Sequence, residues 1–181
     1  MSRLPVIALS VAFLVLLVSG VRAQHAKVDT TLGNLRIELH ALPPEPFFTK
    51  DQVSAGKATN GMLIMGGAKP VAPEAEIHPN RHLVIHVFDA KTDKVITDAK
   101  VKMSFQSLDE KGIQLGTPVD VPIVVMQAIG KGAESTHYGN NVVLPDGPLT
   151  ISLVVNGKKL KLRLDIPYES GNQMEDMNKH P

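Results

Sequence analysis

Histidine and methionine are the residues here whose chemistry reaches beyond packing, with seven of each in 181 residues that contain neither cysteine nor tryptophan. His82 and His86 lie four apart in an apolar run, and Met62 and Met65 flank Leu63 and Ile64. His137 stands in Glu134-Ser135-Thr136-His137-Tyr138-Gly139-Asn140-Asn141. Imidazole with thioether suits Cu(I), and imidazole with oxygen ligands suits Fe(II) or Cu(II). The chemistry these residue types suggest is metal binding, with copper and iron both open. Catalysis has little material. The chain has no Gly-x-Ser-x-Gly, no Gly-x-x-x-x-Gly-Lys and no His-Glu-x-x-His. With two tyrosines and five phenylalanines, it also lacks a stacking platform for nucleic acid. The expectation is a protein that is not an enzyme and has no nucleic-acid partner.

Spacing limits what each histidine can do. In a strand, His82 and His86 leave the same face about 13 Å apart, so they cannot chelate one ion by themselves. Each needs a ligand from a neighbouring strand; otherwise it is a packed, hydrogen-bonded core histidine. At His137, Gly139 and the two asparagines supply the backbone angles of a corner across which Tyr138 can pack. A tyrosine-stabilised corner with an incidental histidine is the plain alternative. Met174, Met177 and His180 form a Met-x-x-Met-x-x-His pattern that a flexible tail could wrap around Cu(I).

The elements that must position these residues are strands. Leu35, Ile37 and Leu39 alternate with Arg36, Glu38 and His40, which predicts a half-buried strand. His82 to Phe88 reads as a strand covered on both faces. Ala99 to Phe105 alternates again and predicts a hairpin with it across the turn-rich Asp89 to Lys94. Thr49 to Ala58 reads as a loop or one helical turn, Met62 to Met65 as a short strand, and Val121 to Ile129 as a strand beginning or edge marked by Pro122. Asn156-Gly157 between two alternating runs predicts a tight hairpin. The expected fold is all-β: an immunoglobulin-like antiparallel β-sandwich of about seven to eight strands, with a jelly roll as the alternative.

Residues 1–23 read as a signal peptide. Arg3 is followed by an apolar run from Leu4 to Val18, then Val21-Arg22-Ala23 offers a cleavage site. Cleavage after Ala23 predicts a periplasmic or secreted protein with His25 second in the mature chain. It leaves 17 basic against 18 acidic residues, a balance that implies no polyanionic partner. The expected β-sandwich domain spans residues 24–166, and the polar residues 167–181 read as a disordered tail.

His137-Tyr138-Gly139-Asn140-Asn141 resembles the His-Tyr-Gly-x-Asn element of a periplasmic iron- and copper-binding family associated with ferrous-iron transport. Gly61-Met62-Leu63-Ile64 is similar to its Gly-Met-Glu-Ile strand, and His82-Leu83 to the His-Leu that opens a later one. The resemblance covers about residues 60 to 166. It implies an immunoglobulin-like dimer and a site built from a carboxylate, two histidines and often a methionine. Carried over, it favours His82 and His137 as ligands. Leu63 stands where the family has its glutamate, so Met62, Met65 or His86 would substitute and soften the site.

The resulting expectation is an exported protein that binds copper or iron in metal uptake or handling, with a membrane metal transporter or a second copy of the chain as partner. It places the ring nitrogens of His82 and His137 within about 7 Å at one rim of the sandwich, beside Met62 or Met65. The alternative is an immunoglobulin-like interaction module of the envelope, binding a protein through an open edge such as the Leu149–Val155 hairpin.

Overall fold

The computed structural model describes residues 25–167. Residues 1–23, whose pattern reads as a signal peptide, and the Met174–His180 segment lie outside the described residues. Among the described residues eleven strands form two sheets, more than the seven or eight expected because β1, β3 and β7 each pair as well. The first sheet is ordered β1-β2-β5-β9-β8-β4-β3, from β1 (Ala26–Leu32), β2 (Leu35–Leu42), β3 (Phe47–Phe48), β4 (Met62–Gly67), β5 (Arg81–Asp89), β8 (Val124–Ala128) and β9 (His137–Val142). The second is ordered β11-β10-β6-β7, from β6 (Val101–Leu108), β7 (Gln114–Val121), β10 (Gly147–Val155) and β11 (Lys158–Ile166). All pairs are antiparallel except β3 with β4.

Strand alternation builds the core. Leu35, Ile37, Leu39 and Ala41 of β2 and Leu83, Ile85 and Val87 of β5 face Met103 and Phe105 of β6 and Leu149, Ile151, Leu153 and Val155 of β10, all buried in one cluster. The result is the expected all-β sandwich. At Asn156-Gly157 both residues take positive φ (50° and 81°), the conformation that closes a two-residue hairpin between β10 and β11.

Three expectations about connections change. β5 and β6 form no hairpin, because the chain leaves the first sheet after Val95, which bridges Phe88, and enters the second at Val101. The apolar stretch Val121 to Ile129 is two strands: β7 ends at Val121 and β8 begins at Val124 in the other sheet, with Pro122 at the crossing. β10 is no open edge, since β11 and β6 flank it. The helical turn near Thr49 is α1 (Lys50–Ser54), fixed by a capping box in which Gln52 N–H donates to Thr49 Oγ1 and Thr49 N–H to Gln52 Oε1.

Candidate metal centre

The outer face of the first sheet carries the site. Because β5 buries its odd positions in the core, His82, Val84, His86 and Phe88 turn outward. β9 pairs with β5 so that His82 lies opposite Asn141 and Val84 opposite Gly139. His137 therefore sits four residues along the ladder from His82, on the same face. Gly139 between them brings β9 so close that a Cβ there would lie 2.0 Å from the Leu83 carbonyl oxygen. With no side chain on Gly139, the two imidazoles reach toward each other above Val84 until their Nε2 atoms are 3.5 Å apart. Their rings are nearly perpendicular, at 85°. This meets the expected 7 Å, but on an outer sheet face and not at a rim between layers, because β5 and β9 are neighbours in one sheet.

Both rings are held by their other nitrogen. Asn141 Nδ2 donates to the carbonyls of Glu45 (2.8 Å) and Val71 (2.9 Å), which fixes its amide orientation. Asn141 Oδ1 is then an acceptor, taking the Glu45 N–H (3.2 Å) and His82 Nδ1–H (2.9 Å). His137 Nδ1–H donates to the Ser135 carbonyl at 2.7 Å. A neutral imidazole carries one N–H, so both Nε2 atoms are bare lone pairs. They face each other with no proton between them. Holding the remote N–H on a carbonyl or amide oxygen is the usual way a ligand histidine is oriented.

Burial keeps these rings neutral. Desolvation lowers His82, His86 and His137 to about 4 each, against weaker opposing hydrogen bonds to Asn141, the Thr136 backbone and the Ser135 backbone. The loops that cover the pair are clamped by the same motif. Asn140, fully buried, donates to the carbonyls of Lys69 (3.2 Å) and Pro122 (2.9 Å) and accepts the Val71 N–H (2.9 Å). On the opposite face, Tyr138 Oη donates to the Ile96 carbonyl (2.7 Å) and accepts the Ala99 N–H (3.0 Å), tying the sheet to the crossover.

Methionine side chains pack next to the pair. Met126 of β8 is directly cross-strand from His137 and fully buried, in a cluster with Val84, Val124, Phe47, Met62 and Ile64. Phe47 stacks at a tilt on His82, centroids 5.8 Å apart. Met62 thus belongs to the cluster next to the histidines. Met65 does not: it lies at the β4 bulge between Ile64 and Gly66 and is 53% exposed. His86 packs against His137, with centroids 5.1 Å apart. Among the described residues no three His, Cys, Asp or Glu side chains form a metal-holding group. The imidazole pair therefore supplies two donors, and His86, Met126 and Met62 pack around it as candidates for more.

Beyond His86 lie His40 and Glu38 of β2. His40 Nε2–H donates to Glu38 Oε2 at 3.3 Å, and Glu38 also pairs with Lys27 (3.5 Å) and Arg36. Burial works to raise the Glu38 pKa, but hydrogen bonds from Arg36 and His40 outweigh it and keep the carboxylate ionised. His40, Met126 and Asn141 as site residues were not singled out by the sequence. Their signal, polar or sulfur side chains on the outward positions of strands, needs the register to be interpreted.

The fold and site together define an all-β sandwich with a buried imidazole pair and flanking thioethers on one outer face. No family model matches the chain, and neither a curated protein nor a solved structure matches it.

Proposed function

We propose that this is an exported, non-enzymatic metal-binding protein that holds copper or ferrous iron between His82 and His137 during metal uptake or handling. One observation carries the reading: two oriented, uncharged imidazoles bring bare Nε2 atoms to 3.5 Å. Buried lone pairs that face each other repel unless a cation lies between them, and burial disfavours a proton in that role. Two nitrogens bound to one ion at the tetrahedral angle stand about 3.3 Å apart for metal–nitrogen bonds of about 2 Å. The spacing fits an ion with little movement. Met126 and Met62 would favour Cu(I). The N-terminal signal-like segment and the His-Tyr-Gly-Asn-Asn likeness to the periplasmic iron- and copper-binding family support export and metal supply to a membrane transporter. Calorimetry with copper and, under anaerobic conditions, ferrous iron tests it. About one tightly bound ion per chain is expected, and loss of that tight binding in the His82→Ala/His137→Ala double variant. Binding no tighter than to an unrelated sandwich, or unaffected by the double variant, overturns the reading.

A protein-interaction role has separate support in β7, an edge of the second sheet whose Leu115 and Val119 are half exposed. Leu115→Lys would then abolish partner capture and leave metal binding untouched.

A further inference from the structure

Five of the seven histidines stand in one row on the outer face of the first sheet. Successive ring centroids are 5.2 Å apart from His25 to His40, 5.5 Å to His86, 5.1 Å to His137 and 5.6 Å to His82. Exposure falls along the row: His25 is exposed, His40 and His86 are half-buried, and His137 and His82 are buried. An ion bound by the inner pair must shed its water to reach two nitrogens under the loops, so it needs ligands along the way. Each step in the row is about one imidazole wide.

The outer end is itself prepared for a cation. Glu38 accepts the His40 Nε2–H, so His40 Nδ1 is a lone pair, and it faces His25 Nε2 at 2.9 Å. The carboxylate behind His40 fixes its ring as in metal centres, while burial holds its pKa below the usual histidine value, so the ring stays neutral and its lone pair free. Two nitrogens about 2.8 Å apart suit adjacent positions around a square-planar ion with bonds of about 2 Å. An ion replacing the shared proton would find both donors in place.

We propose that His25 and His40 form an outer metal-holding position from which the ion passes through His86 to the His137–His82 pair. The inference rests on the inner pair being the metal's resting place. Ligand exchange along the row needs no redox step: each imidazole lends its lone pair and recovers it as the next one binds.

The test is stopped-flow loading of the purified protein with one equivalent of Cu(II), with paramagnetic resonance to count bound nitrogens. His25→Ala, an exposed change that leaves the sandwich intact, and His40→Gln should reach the same final occupancy but load about tenfold more slowly or worse, because the intramolecular transfer is lost. The His82→Ala/His137→Ala protein should retain a weaker Cu(II) with imidazole nitrogen couplings, removed when His25→Ala is added. Wild-type loading rates in both outer variants overturn the relay while leaving the inner site standing. Absence of copper binding to the wild-type protein overturns the inner site and the relay together. Undiminished affinity in the His82→Ala/His137→Ala protein would relocate the metal to the outer position and overturn the inner site and, with it, the relay.

Discussion

His82 and His137 point bare Nε2 atoms at each other across 3.5 Å, each ring pinned from behind by an oxygen that only accepts. The strands bearing them are adjacent and antiparallel, so the approach depends on the ladder between β5 and β9.

Asn141 acts through His82. Asn141→Ala removes the acceptor for His82 Nδ1 and both donors to the loop carbonyls, so metal affinity should fall about ten- to a hundredfold. Asn141→Asp keeps the acceptor and loses the donors. It should restore most of the affinity without restoring stability, as read by competition titration and urea unfolding. Equal affinities for all three proteins would mean that Asn141 only clamps the loops.

Met126→Leu keeps volume and apolarity at a fully buried position, so unfolding should move by less than about 1.5 kcal/mol. Cu(I) affinity should drop about tenfold, with Cu(II) affected much less, because a thioether is a soft donor. A competing Cu(I) chelator reads the difference. Unchanged Cu(I) affinity removes sulfur from the site.

Gly139→Ala sets a methyl 2.0 Å from the Leu83 carbonyl oxygen, where backbone must give way. The ladder between β5 and β9 should loosen, at a cost of about 3 kcal/mol, the upper range for overpacking. Because the same ladder sets the imidazole approach, metal binding should fail with it. A stable Gly139→Ala protein with wild-type affinity would contradict the geometry.

Acid should destabilise the metal-free protein in a defined window. Burial depresses His82, His86 and His137 to about 4 in the native state, against 6.5 for a free histidine. Above 6.5 all three are neutral in both states and stability is complete. As pH falls from 6.5 towards 4, the unfolded chain takes up protons that the native chain refuses. Each imidazole then removes on the order of 3 kcal/mol, levelling off below pH 4. Urea midpoints near pH 7.5 and near pH 4.5 should differ accordingly, with a smaller difference in His82→Gln. Equal midpoints would mean the rings are solvated.

The sequence alone determined the all-β class, because period-two alternation in segments such as Leu35–Leu39 and Leu160–Ile166 allows only one way to bury a face. It also determined the Asn156-Gly157 hairpin, whose two positive-φ positions suit those residue types. It marked His82 and His137 by residue type and by a short likeness. Pairing was not legible, because alternation says which face a residue takes and nothing about which strand lies beside it. Tertiary structure therefore decided that β5 pairs with β9 and not with β6, and that Met126, Asn141 and His40 join the histidines while Met65 does not. It likewise decided which ring nitrogen is free, since a tautomer is set by the partner behind the ring and those partners come from Ser135 and from an asparagine 59 residues away.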